Sequence, residues 1–121
     1  MRALTVLLAF LALPAAAQDY ALRESDQRFD VPGLAEAITG RTLTFFDDGA
    51  SRFSAGGSYS YTYGMRNGGG SQFGTFTVMP GGIVCILFRN GFDRCDMYVR
   101  ARGQIVVLTE DGERYPVRSE G

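Results

Sequence analysis

The stretch Val84-Cys85-Ile86-Leu87-Phe88-Arg89-Asn90-Gly91-Phe92-Asp93-Arg94-Cys95 sets an Asn-Gly dipeptide between two apolar runs. That arrangement is the strongest short-range signal for a β-hairpin. Cys85 and Cys95 stand at equal distances from Asn90, so they face each other across the two strands. They are the only cysteines of the chain, and the spacing predicts that they form a disulfide. A structural disulfide persists in an oxidising compartment. Closing a loop of this length stabilises a small domain by about 2–3 kcal/mol.

On both sides of this hairpin, short β-like runs alternate with turn dipeptides. Asp47-Asp48-Gly49, Ala55-Gly56-Gly57, Pro80-Gly81-Gly82, Arg102-Gly103 and Asp111-Gly112 mark the breaks. Strands are expected near 41–46, 51–55, 58–64, 73–79, 83–89, 94–100, 104–109 and 114–118. Turns spaced this regularly predict an all-β fold, an antiparallel meander of about eight strands forming a small barrel or half-open barrel. Gly64 to Gln72, with Gly68-Gly69-Gly70, is expected as a longer flexible loop.

Turn geometry also predicts register. A two-residue Gly81-Gly82 turn sets Val78 opposite Cys85 and Phe76 opposite Leu87. The Asn90 centre pairs Cys85 with Cys95 and Ile83 with Met97. The Arg102-Gly103 turn pairs Met97 with Leu108 and Val99 with Val106, and a two-residue Asp111-Gly112 turn pairs Leu108 with Tyr115 and Val106 with Val117. The result is one apolar stripe, Ile83–Met97–Leu108–Tyr115, with Val78, Cys85 and Cys95 on the inner face. A slip of one residue would send each side chain to the other face. A three-residue Asp48-Gly49-Ala50 loop is expected to set Phe45 opposite Phe53.

Val84, Ile86, Phe88, Ile105 and Val107 point away from that stripe and need cover, since a broad apolar face is rarely left in water. A short helix is available: Val31, Leu34, Ala35 and Ile38 fall at i, i+3, i+4 and i+7, with Pro32 near the start and Gly40 beyond the end. This helix, over 31–39, is expected to pack there; a partner surface is the alternative. Arg94, Asp96, Tyr98 and Arg100 interrupt the face and favour the helix.

Residues 1–17 read as a secretory signal: Met1-Arg2, an apolar run from Ala3 to Leu13, and Ala15-Ala16-Ala17 as the cleavage site. The run is too short for a membrane-spanning helix, and no membrane association is expected after cleavage. Residues 18–30 form a polar N-terminal segment, and 31–118 are expected as a single barrel-like domain. A periplasmic or secreted location follows.

Charge excludes further classes. Without Arg2, the 12 basic residues become 11 against 13 acidic ones, a net charge of −2, and no Lys or His is present. No basic footprint for nucleic acid exists. Without His, the Ser–His and Cys–His nucleophile pairs and the commonest metal ligand are missing. The acidic pairs at Asp47-Asp48, Asp93/Asp96 and Glu110-Asp111-Glu113 are expected beside turns, where Asp is favoured for backbone reasons. No catalytic residue, metal site or cofactor is therefore expected.

Tyr59, Tyr61 and Tyr63 alternate with Ser58, Ser60 and Thr62, which aligns three rings on one strand face. Such a face either closes the core or lines a ligand cavity in the mouth of a barrel. These three residues are the candidate ligand-binding site, beside the 64–72 loop.

The run Gly74-Thr75-Phe76-Thr77-Val78, followed by Gly82-Ile83-Val84-Cys85 and Cys95, resembles small exported bacterial β-proteins of unknown function. In that group a Gly-x-aromatic-x-Val strand precedes a two-Cys hairpin. The Thr42-Leu43-Thr44-Phe45-Phe46-Asp47-Asp48-Gly49 hairpin fits the same group, and the resemblance covers about half the chain after the signal. It implies a fold and an exported location, and no activity. Periplasmic lysozyme inhibitors share a broadly similar β-barrel layout, an analogy of fold alone. The expectation is an exported, non-enzymatic module that binds an unknown small ligand in the periplasm. The alternative is a protein-interaction or enzyme-inhibitor domain for a periplasmic protein, presenting the 64–72 loop or an outer apolar face.

Overall fold

The computed structural model describes residues 20–121; the signal segment 1–17 lies outside them. Nine strands and one helix follow in order: β1 (Gln27–Arg28), α1 (Val31–Ile38), β2 (Thr42–Phe45), β3 (Ala50–Phe53), β4 (Ser58–Thr62), β5 (Ser71–Met79), β6 (Ile83–Phe88), β7 (Asp93–Ala101), β8 (Gln104–Leu108) and β9 (Arg114–Glu120). Strands β2 to β9 pair antiparallel with their chain neighbours, and β9 returns to β2, closing an eight-stranded up-and-down barrel. Closure removes the free sheet edges that would otherwise invite aggregation. β1 is an added edge strand: Gln27 and Arg28 pair with Arg100 and Val99 of β7, beyond the point where β6 begins at Ile83.

The register is as expected at Asn90 and at Arg102-Gly103, where Cys85 faces Cys95, Ile83 faces Met97 and Met97 faces Leu108. Two other hairpins are one residue longer than expected. Met79 pairs with Ile83 around Pro80-Gly81-Gly82, so Thr77, not Val78, lies opposite Cys85, and Phe76 faces Ile86. Thr109 pairs with Glu113 around 110–112, so Leu108 faces Arg114 and Tyr115 faces Val107. In each case the loop ends on a left-handed glycine, Gly82 (φ 77°) or Gly112 (φ 89°), the geometry of three-residue hairpins. The first hairpin turns at 46–48 rather than 48–50, with Asp48 in the left-handed region (φ 67°). Phe45 therefore faces Gly49, and Leu43 faces Ser51.

Closure also decides which face is inside. Val84, Ile86, Tyr98, Ile105 and Val107 form the interior core with Leu43, Phe53, Tyr59 and Val117. Ile83, Met97 and Leu108 lie on the outside with Val99 and Val106, against Tyr20 and Ala101. Of the residues expected on the inner face, Ile83, Met97, Leu108 and the two cysteines are thus outer, whereas Val78 packs against the interior core and Tyr115 lines the barrel cavity; the disulfide Cys85–Cys95 is an external staple with Cα atoms 4.1 Å apart. That separation suits the closer class of facing residues in an antiparallel pair.

The helix packs on the Val84/Ile86/Ile105/Val107 face as expected, and that face is the barrel interior. Leu34 and Ile38 are fully buried and join the core, so α1 plugs one end of the barrel. Asp30 caps its first turn by accepting from the Gly33 N–H at 2.8 Å. Segment 20–26 lies outside the barrel on β7 and β9. Arg114 donates two hydrogen bonds to Asp26 and one to the Ala21 carbonyl, and the Tyr20 hydroxyl donates to the Cys95 carbonyl.

Candidate functional site

The barrel end opposite α1 is open. Four hairpin loops ring it: 46–49, 63–70, 89–92 and 109–113, and a cavity of about 980 Å³ runs inward between them. That volume lies within the range of small-molecule sites, which spans roughly 300–1,000 Å³. No side chain from α1 lines it.

Its floor is aromatic, formed by Tyr59, Phe88 and Tyr98, which rest on the Phe53 and Phe76 rings of the core beneath. The Phe53 ring lies 5.2 Å from Tyr59 at a 54° tilt, and edge-on to Phe76 and Tyr98 at 5.1 and 6.3 Å, while Tyr59 meets Phe88 at 5.9 Å. Such geometries are preferred by ring quadrupoles. Tyr59 is only 5% exposed, and its hydroxyl shares a 2.8 Å hydrogen bond with Ser51. Burial pushes its phenol up to about 12, with the Ser51 bond acting in the opposite direction. Burial likewise holds Tyr98 well above the ordinary phenol value. Both are neutral hydrogen-bonding groups at any physiological pH.

The tyrosine stripe is graded. Tyr59, Tyr61 and Tyr63 all line the cavity, but at different depths. Tyr59 belongs to the packed floor, Tyr61 is half-buried, and Tyr63 is 41% exposed at the rim. Tyr61 and Tyr63 meet edge-on at 4.9 Å. Two close backbone approaches make room for them. A Cβ on Gly49 would strike the Tyr61 hydroxyl, and a Cβ on Gly64 would strike the Asp47 carbonyl, so glycine lets the 46–49 and 63–70 loops close together beside the rings. The 64–72 segment is less open than expected: Met65–Asn67 form a 3-10 turn, the Gly64 carbonyl accepts from Asn67 and Gly69, and β5 already begins at Ser71.

Sequence reasoning missed the charged element of the wall. Asp96 was expected beside a turn, yet it lies within β7 facing the interior, with its side chain 6% exposed. Arg94, two residues earlier on the same face, donates from Nε to one carboxylate oxygen at 2.8 Å and from Nη2 to the other at 2.9 Å. This bidentate fork is the strong form of the pairing, and the Asp96 bonds hold the Arg94 guanidinium above its ordinary value. The Arg94 side chain as a whole remains 44% exposed at the cavity wall. The alternation Arg94, Asp96, Tyr98 against Cys95, Met97, Val99 was the available signal, because i and i+2 share a face in a strand. Phe46, Phe92 and Tyr115 complete the rim, each about half exposed or more.

Asp47 and Glu110-Asp111 stand in the rim loops, as their turn positions required. Among the described residues, no group of three His, Cys, Asp or Glu is placed to hold a metal ion. The site can offer rings, hydroxyls and carboxylates to a molecule entering from solvent. Comparison with known proteins gave no match: no family model, curated protein or solved structure is significantly similar to this chain. The disulfide points to an oxidising, non-cytoplasmic setting, and among the described residues no helix is long and apolar enough to cross a membrane.

Proposed function

We propose that this chain is an exported, non-enzymatic binding module of the periplasm that holds a small ligand in the open end of its barrel. The observation that carries this reading is the cavity of about 980 Å³, lined by Tyr59, Tyr61 and Tyr63. A barrel sealed at one end by a helix and open at the other keeps a ligand partly out of water while leaving one route of entry. The signal-like residues 1–17 and the disulfide support export, and a periplasmic or secreted location accommodates both.

Screening the secreted chain by thermal shift against a small-molecule library tests the reading. A ligand at 100 times its Kd should add about 2.7 kcal/mol of stability, a shift of roughly 10 °C or more for a domain of this size. Tyr61→Ala should abolish that shift while the variant still unfolds cooperatively near the wild-type temperature. A ligand shift that survives Tyr61→Ala would place binding elsewhere.

One observation favours a second reading, in which the open end docks on a periplasmic protein. Met65, Phe46 and Phe92 are 87%, 60% and 61% exposed on the rim loops, and apolar loop tips of this kind serve as protein contacts. Native mass spectrometry of a periplasmic pull-down separates the two: a retained small molecule supports the first, a stoichiometric protein partner the second.

A further inference from the structure

We propose that the ligand of this cavity is an uncharged molecule with an aromatic or apolar body, whose carbonyl-type oxygen accepts hydrogen bonds from Arg94 and Tyr98. This rests on the reading of the cavity as a ligand site and goes beyond it by naming the recognising donors and the ligand chemistry.

Arg94, Asp96 and Tyr98 alternate on β7 and share its inward face. Asp96 occupies two corners of the Arg94 guanidinium, Nε at 2.8 Å and Nη2 at 2.9 Å. The third corner, Nη1, carries two further N–H groups and makes no hydrogen bond with the described residues. The fork thus fixes the plane of the guanidinium before any ligand arrives, which lowers the ordering cost of binding. Asp96 is a positioning residue in this arrangement, and Arg94 is the group that meets the ligand.

Deeper on the same face, Tyr98 is 2% exposed and lines the cavity. Its hydroxyl also makes no hydrogen bond with the described residues. Among those residues, every side-chain oxygen or nitrogen sealed from solvent has a partner, so the Tyr98 hydroxyl is not sealed and opens on the cavity. Tyr59 differs, because its hydroxyl is already bonded to Ser51 at 2.8 Å. A carbonyl oxygen has two lone pairs and can accept from both donors, while the body of the molecule lies against the Tyr59 and Phe88 rings.

Charge selects the neutral form of that group. Arg94 is the one cation among the residues that line the cavity; its charge is answered by Asp96 and acts on Asp111 as well. Arg66 and Arg89 stand on the rim loops but do not line the cavity, and Arg89 lies over the exposed Phe73 ring at 5.3 Å. A carboxylate entering beside Asp96 would set a second negative charge on one guanidinium, and an ammonium would compete with that guanidinium for Asp96. An uncharged acceptor takes the spare N–H groups without disturbing the pair.

Three near-isosteric probes test the inference: acetophenone, benzoate and 1-phenylethylammonium, each titrated into the isotope-labelled secreted protein and followed by NMR. Acetophenone should shift the Arg94 Nε–H resonance together with the Tyr59 and Phe88 ring signals. It should bind about fivefold more tightly than either charged probe and keep its affinity as salt is raised. Tyr98→Phe should weaken acetophenone about threefold without lowering the unfolding temperature, because that hydroxyl has no partner in the protein to lose. Arg94→Lys, which keeps a cation for Asp96 but not the fork, should weaken it about fivefold. The Arg94 resonance is read on the wild-type chain, so the test stands if Arg94→Lys folds poorly. Benzoate or the ammonium binding as tightly as acetophenone, at the same residues, would overturn the uncharged class and leave the cavity as a binding site. Acetophenone that moves the rings but not the Arg94 resonance, or that binds Tyr98→Phe unchanged, would overturn the assigned donors. A cavity silent to all three probes would overturn both readings.

Discussion

At the end closed by α1, the inward residues Leu34, Ile38, Leu43, Phe53, Ile105 and Val117 are almost completely withdrawn from water. At the open end, inward positions on β4, β7 and β9 carry Tyr61, Arg94 and Tyr115, which line the cavity. One barrel wall thus changes from packed core to wet pocket along its length. The difference is one of side-chain chemistry and of a lid, since the backbone pairing continues through both. Stability concentrates where apolar area is buried, which leaves the open end tolerant of change and available for binding.

Truncation at the closed end should break this contrast most severely. Ile38→Ala or Leu34→Ala leaves a void between α1 and the barrel floor, at an expected cost of about 2–5 kcal/mol. Urea unfolding should register it, and a loss below 1 kcal/mol would mean that the helix is a loose cover. Cys85→Ser/Cys95→Ser comes next, with about 2–3 kcal/mol lost. Because the staple lies outside the barrel, ligand shifts in the folded double variant should match those of the wild type. Weakened binding would couple the outer wall to the cavity.

A smaller effect belongs to the strap formed by segment 20–26. The Arg114 bonds hold the Asp26 carboxyl below the usual range, and that side chain is 1% exposed. A depressed folded-state value contributes stability that is fully present above the unfolded value of about 3.9 and is lost as pH falls through the folded value. Asp26→Asn should therefore cost about 1–2 kcal/mol at pH 7, and its difference from wild type should shrink in acid unfolding below about pH 4. A gap that stays constant with pH would assign the loss to packing. The smallest stability effect is expected at the rim, where Tyr63→Ala should stay within about 0.5 kcal/mol. A much larger loss would show that the rim is part of the core.

How far these features could be read beforehand depended on the feature. The facing of Cys85 and Cys95 followed from symmetry about Asn90, and α1 followed from Leu34 and Ile38 at helical spacing with Pro32 and Gly40 as punctuation. The loop lengths at Pro80-Gly81-Gly82 and Asp111-Gly112 did not. A terminal glycine suits both a two-residue turn and a three-residue loop that ends in a left-handed residue, and the one-residue difference moves Val78 and Tyr115 to new partners. The inside of the barrel was equally hidden on β6 and β8, where Ile83 and Leu87 alternate with Val84 and Ile86, and Val106 with Ile105 and Val107. Strands apolar on both faces read the same when turned over.

Local chemistry in the chain determined the strands, most of the turns, the helix and the disulfide, because each depends on residues close in sequence. Tertiary structure decided the rest. Only when β9 met β2 and α1 filled one end did one face of each strand become interior. That closure sent Tyr59 into the floor and Tyr63 to the rim, and brought Arg94 and Asp96 to the wall of a shared cavity. Such placement depends on strands far apart in sequence, which no local spacing encodes.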